Sequence, residues 1–241
     1  MELPILQDNL RSSGGWTAAL AAEREQWAEA RAASPAIERK LCEIQVEQIL
    51  KTSGNQIDPM RLFEAASKVA VWAKEANAAF NAARLLELHR ALIGAAPVGP
   101  DEEDAGVLRK DEPTPINAAH DPTPAVLLPR MIDHAFDWFS TESFGELHSV
   151  EQATVVYLRL LDLYPFPTLN EPTAMLAASF YTERAGLPPL VIFADEGTQA
   201  KFAQTLEPAM RMLTQPLVEL FAEMLRRAMR QSSESGAVAT R

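Results

Sequence analysis

The sequence predicts a mainly α protein. Ala and Leu outnumber Val, Ile and Thr, only 7% of residues are aromatic, and apolar positions recur at helical spacing between charged ones. With 241 residues, 47% of them hydrophobic, the chain can bury a full core as one large domain.

The elements follow in order. "GWTAALAAEREQWAEARAA" and "IERKLCEIQVEQILKT" read as two amphipathic helices, the second with Ile37, Leu41, Ile44, Ile49 and Leu50 on its apolar side. A third starts at Asp58-Pro59, where Asp caps and Pro suits the first turn. "NAARLLELHRALIG" is the fourth, closed by Gly94. Most of the prolines and an acidic run then fall in "AAPVGPDEEDAGVLRKDEPTPINAAHDPTPAVLLP", a long loop with room for a short hairpin. Helical periodicity resumes at "PRMIDHAFDWFS", "SVEQATVVYLRLLDL" and "PTAMLAASFYTERAG", the last stopped by Gly186. One or two terminal helices follow, with an interruption expected at Pro216. Residues 1–14 and 231–241 are small and polar and are expected to be mobile tails, leaving 15–230 as the folded domain.

Charge and cysteine content narrow the function. A formal net charge of −11 argues against a nucleic-acid groove, which needs clustered Lys and Arg. The single cysteine, Cys42, makes no internal disulfide, and no Cys/His spacing suits a metal. No signal peptide and no membrane-length apolar run is apparent, so a cytoplasmic location is expected.

The stretch "LYPFPTLNEPTAML", residues 163–176, sits between two helices, as many anion sites do. Together with the flanking helices it resembles the central motif of the Fic family, H-x-F-x-(D/E)-G-N-G-R-x-x-R. "LLELHRAL" is similar to that family's preceding Leu-His helix, Gly106-Val107-Leu108-Arg109 to its G-x-(Y/L)-R, and "PTPINAAHDPTPAVLLPRMIDHAFDWF" lies where it carries a target-binding flap. "ASPAIER" resembles the inhibitory-helix signature, with Ser34 and Glu38 at its key positions, within a segment of about 30–52. The resemblance implies a Fic-fold helical bundle with a short β-hairpin flap and a core at about 80–195. It also implies ATP and magnesium as cofactors, and protein hydroxyls as acceptors of AMP, in active relatives.

The differences fall on the chemistry. Tyr164 stands at the motif histidine, and a phenol with pKa near about 10 is a poor base at neutral pH beside an imidazole near about 6.5. Thr168 replaces the metal carboxylate. Pro172 and Met175 replace both clamp arginines. Leu169-Asn170-Glu171 replaces the glycine cradle; neither Leu nor Glu enters the positive-φ region easily, and Glu171 is expected to place its own carboxylate at the helix head. Pro165, Phe166 and Asn170 remain as scaffold, Asn170 reading as an N-cap.

Arg109, Ile116 and His120 are the candidates for contact with a ligand or the flap; the resemblance implies that Arg109 supports the loop geometry and is the one basic residue near the site that could still meet an anion, and that His89 and His148 are structural, bridging helix or loop backbone; no catalytic residue, metal or cofactor is expected. With Met175 at the second arginine position, Glu38 is expected to turn outward or pair with Arg31, Arg39 or Lys40. Three readings stay open: a binding or regulatory module with a protein partner, a transferase of altered chemistry or donor using Tyr164 or His120, and a non-catalytic subunit of a Fic-like homodimer or heterodimer.

Overall fold

A computed structural model of the chain describes residues 14–34, 36–53, 57–94, 105–113 and 121–238. The described residues form ten α-helices: α1 Gly14–Ala33, α2 Ala36–Thr52, α3 Pro59–Lys74, α4 Ala82–Ile93, α5 Leu128–Phe139, α6 Glu142–Gly145, α7 Ser149–Leu163, α8 Asn170–Arg184, α9 Glu196–Met210 and α10 Gln215–Val238. A 3-10 turn at Ala125–Leu127 leads into α5. Among the described residues no strand forms, and most of the stretch expected as a flap hairpin, 114–120, lies outside them.

The antiparallel pair α7 and α8 is the centre of the molecule. Their sequences explain why. From Pro172 to Thr182 every residue of α8 is buried, so this helix is apolar or small all round and needs neighbours on every side. It is packed by α7, α3, α4 and α2, while α10 lies along α1, α2, α7 and α9.

Local chemistry sets the helix ends. Asp58 accepts hydrogen bonds from the Met60 and Arg61 amides ahead of α3, and Asn81 accepts from Arg84 ahead of α4. Gly94, at φ 81°, ends α4 as expected. His148 and Glu151 close the start of α7 reciprocally: His148 Nδ1 accepts from the Val150 N–H, and the Glu151 carboxylate accepts from the His148 N–H. Trp16 of α1 meets the His148 ring edge-on at 4.9 Å, which ties the first helix to the base of the central pair.

Two expected boundaries move. The break between the last helices falls at Arg211–Thr214, with Met212 at φ 74°, and Pro216 instead sits in the first turn of α10, where its missing N–H has no helical partner to lose. The residues from 231, expected as a mobile tail, continue α10 to Val238. Ser232 and Ser233 satisfy their hydroxyls on the Met229 carbonyl, and fully buried Ser232 also accepts a 3.2 Å hydrogen bond from the Trp27 indole of α1.

Candidate functional site

The loop between α7 and α8 is bracketed by two non-glycine residues in the left-handed region. Tyr164 (φ 45°, ψ 59°) caps α7, and Leu169 (φ 57°, ψ 26°) precedes α8. Each such L-residue costs about 1–2 kcal/mol, so the surroundings must hold them there. Leu169 in this conformation corrects the expectation that a leucine would refuse it.

Asn170 supplies one clamp. It is 3% exposed, accepts the Phe166 N–H at 2.9 Å and donates to the Phe166 carbonyl at 2.7 Å. It is therefore the first residue of α8, with Leu169 at the N-cap, and its side chain brackets the loop where a capping role had been expected. The Thr173 hydroxyl adds a 2.7 Å bond to the Leu169 carbonyl.

His89 of α4 supplies the second. Its ring stacks on Phe166 at 3.8 Å with a 2° tilt. Nδ1 accepts the Gly106 N–H, which leaves the proton of the neutral ring on Nε2, directed at the Thr168 carbonyl 3.1 Å away. Phe166 is fully buried in this arrangement.

Arg109 is the third. Its backbone N–H bonds the Pro165 carbonyl at 2.9 Å, and Nε bonds the Tyr164 carbonyl at 2.6 Å. The two Nη atoms reach the carbonyls of Asp111 (2.9 Å), Leu163 (3.3 Å) and Thr123, with the Glu112 carboxylate 3.5 Å off. A guanidinium has five N–H donors, and these contacts engage them all. Arg109 is 5% exposed, and its side chain holds main-chain carbonyls of the loop.

The clamp and metal positions of the motif are filled without charge. Pro172 is buried and Met175 is 5% exposed, both packed in the core. Thr168 is exposed and its carbonyl faces His89. Glu171 is exposed as a residue, and no backbone N–H among the described residues donates to its carboxyl, so the expected self-filled cradle does not form. Desolvation raises its pKa, and the Tyr157 hydroxyl of α7 opposes that rise. The Leu169, Asn170 and Glu171 amides make no hydrogen bond among the described residues and still point from a left-handed turn into a helix head, a geometry that cups anions weakly.

Magnesium and nucleotide phosphates do not fit this donor set. A neutral threonine, a proline and a thioether offer neither the carboxylate a hard dication takes nor a fork for phosphate. Among the described residues no group of three His, Cys, Asp or Glu side chains is placed for a metal.

Glu38 lies elsewhere. Its carboxylate takes Arg31 at 2.7 Å and Lys74 at 2.8 Å, and these two cations, Lys74 foremost, lower its pKa. Arg39 and Lys40 pair with Glu43 instead. Ser34 lies in the turn between α1 and α2, its N–H on the Ala30 carbonyl. The α8 residue that shares this neighbourhood is Glu183, whose carboxyl burial pushes up to about 8 against the pull of Lys74 and Arg31. Lys74 was not foreseen, since a partner on another helix leaves no local pattern. Ile116 and His120 lie outside the described residues.

No family model matches the chain. In sequence it is similar to the protein adenylyltransferase fic-1 of Caenorhabditis briggsae, 27% identical over 144 residues, which cover 58% of this chain and 26% of that protein. The chain thus spans about a quarter of the length of that curated relative. In structure it resembles Fic-1, residues 134–508, from Caenorhabditis elegans (TM-score 0.72, 18% identity, 90% of this chain and 70% of that one). A Fic domain containing signalling protein from Bacteroides thetaiotaomicron superposes equally well (TM-score 0.72, 15% identity, 90% and 97%). The structural likenesses establish the fold, that of Fic-domain proteins, and over 144 residues the sequence is similar to a protein adenylyltransferase of the Fic type.

Proposed function

We propose that this protein, with the fold of Fic-domain proteins, acts by binding a protein partner in the cytoplasm, without transferring AMP and without ATP or magnesium. The observation that supports this most is the fate of the two clamp positions, where Pro172 and Met175 are buried apolar residues, while the nearby guanidinium of Arg109 is spent on carbonyls. Losing the clamp, the metal carboxylate and the histidine together removes the attraction for a triphosphate, and three amides alone offer little in its place.

The protein partner is suggested by the name of the relative, a protein adenylyltransferase, whose acceptor is a protein. A net charge of −11 speaks against nucleic acid, and no helix among the described residues is long and apolar enough to cross a membrane. Pairing with a second copy, as a homodimer, is compatible with this role.

A calorimetric titration with ATP and magnesium tests the reading. No saturable heat is expected at millimolar nucleotide. Saturation in the micromolar range would overturn it and favour a transferase of altered chemistry. On the positive side, an affinity-tagged chain is expected to retain a stoichiometric protein partner.

A further inference from the structure

His148 holds the head of α7 with an atom that titrates. Its Nδ1 accepts the Val150 N–H at 3.2 Å, and its own backbone N–H is accepted by the Glu151 carboxylate at 2.8 Å. Accepting at Nδ1 requires that this nitrogen carry no proton, so the neutral ring keeps its single proton on Nε2. Asn81, the cap of α4, accepts its amide at any pH.

Three properties of the place oppose a second proton. An imidazolium has two N–H donors and no acceptor, so the Val150 N–H would lose its partner and face a donor. The added charge would stand at the positive end of the α7 dipole. Partial burial of the ring, and then the charge of Arg24 on α1, lower its pKa. The acids nearest in the chain are Glu146, in the connection from α6, and Glu151 of α7, and their charge works the other way. The residue as a whole is exposed, so protons from solvent reach the ring.

The same ring fastens α1. Trp16, in the first turn of α1, meets it edge-on with the ring centroids 4.9 Å apart. Farther along α1 the ties are Glu23 to Arg226 and Arg230, and Trp27 to Ser232, none of which involves a histidine. We propose that His148 is a pH-sensitive fastening between the start of α1 and the central helix pair. Neutral, the ring caps α7 and carries Trp16. Protonated, it turns off the Val150 N–H and leaves Trp16, so the start of α1 is freed while the rest of the helix stays docked. The fastening lies at the opposite end of α7 from the motif loop, and it holds whether or not the partner proposed above exists.

Folding releases a proton between the folded value and the ordinary 6.5, so the stabilisation is full above 6.5 and is lost as pH falls through the folded value. Thermal unfolding is therefore compared between the wild type and His148→Asn, whose cap accepts without titrating. From about pH 7.5 to about pH 5 the wild type is expected to lose more Tm than the variant, by roughly 2 °C or more. Parallel curves would overturn the fastening. Two measurements on the wild type alone keep the proposal open to refutation if the variant does not fold. By NMR the His148 ring, assigned through its own backbone, is expected to titrate below 6.5, and a midpoint at or above that value would sink the proposal. Hydrogen exchange on either side of that midpoint, corrected for the intrinsic effect of pH, is expected to show protection over residues 15–20 falling by about threefold or more on the acid side, with residues 23–33 unchanged. An equal change along all of α1, or none at its start, would overturn it.

Discussion

The two ends of α8 solve opposite problems. At its head, residues 164–170, the backbone is bent through two left-handed residues and held by neutral and cationic donors spent on main-chain carbonyls. At its tail, around Glu183, three other helices bring side-chain charges together, with Glu38 of α2 between Arg31 of α1 and Lys74 of α3. Shape is kept at the head and charge is paired at the tail. In the family that the chain resembles, the inhibitory glutamate and the second motif arginine meet. Here Met175 and Glu183 lie two turns apart, roughly 12 Å at 1.5 Å per residue, and the acid belongs to the tail. The loop's form therefore does not depend on the charges that give it chemistry in relatives.

That separation is broken most forcefully at Arg109. Arg109→Ala is expected to cost about 4 kcal/mol in urea unfolding, because the carbonyls of Tyr164, Leu163, Asp111 and Thr123 lose charged donors at once. A cost under about 1 kcal/mol would mean that the loop holds its bend without the clamp. Asn170→Ala comes next, at about 2 kcal/mol, since it strands both the N–H and the carbonyl of buried Phe166. If the two variants prove independent when combined, the clamps act on separate halves of the loop; coupling beyond about 0.5 kcal/mol would make the head one unit.

Much of the head was legible in the sequence, and its support was not. Which residue types stand at the clamp, metal and base positions of the motif that the chain resembles is a matter of spacing, so "YPFPTLNEPTAM" displays them directly. The helix limits at Asp58, Gly94 and Gly186 were likewise written in capping chemistry. Leu169 was misjudged because its own preference is overruled by bonds from Asn170, Thr173 and His89, whose particular partners in the loop appear only in space. Arg109 was read both as a support of the loop and as a candidate contact for an anion, and which carbonyls it holds was not legible, since carbonyl partners belong to any residue and leave no trace in composition. The serine-rich end looked like a tail until the Met229 carbonyl and Trp27 supplied partners for its hydroxyls.

The tail of α8 offers a pH test. The Glu183 carboxyl rises from its ordinary 4.5 to about 8, so between these values the folded chain holds a proton that the unfolded chain has released. Folding therefore binds a proton in that window, and this contribution to stability, full below about pH 4.5, is lost as pH rises through about 8. The wild-type Tm is expected to fall from pH 6 to pH 9 by more than that of Glu183→Gln, a difference of at least roughly 2–4 °C. Lys74, Arg31 and Glu38 face the group and are unchanged in the variant, so parallel curves would place the ionised carboxylate comfortably among them and remove the contrast between the two ends.

The smallest expected effect falls on Glu38, and it bears most directly on whether tail and head are separate. Both of its partners are at least partly exposed, Arg31 at 27% and Lys74 at 54%, and the carboxylate's own side chain is 45% exposed. Solvent competes for every member of such a triad, so Glu38→Ala is expected to cost about 1 kcal/mol or less. Its pKa is lowered in the folded chain, chiefly by Lys74 and then Arg31, so the benefit exists above the unfolded value and fades as pH falls through the folded one; below that folded value the variant and the wild type should unfold alike. With a buried methionine, Met175, at the second clamp position, removing the acid uncovers no guanidinium at the motif loop. Incubation of the Glu38→Ala chain with labelled ATP and a protein lysate is accordingly expected to give no more transfer than the wild type. Label appearing on any protein only in the variant would mean that Glu38 still restrains an active loop, and the division between a shaped head and a charged tail would have to be abandoned.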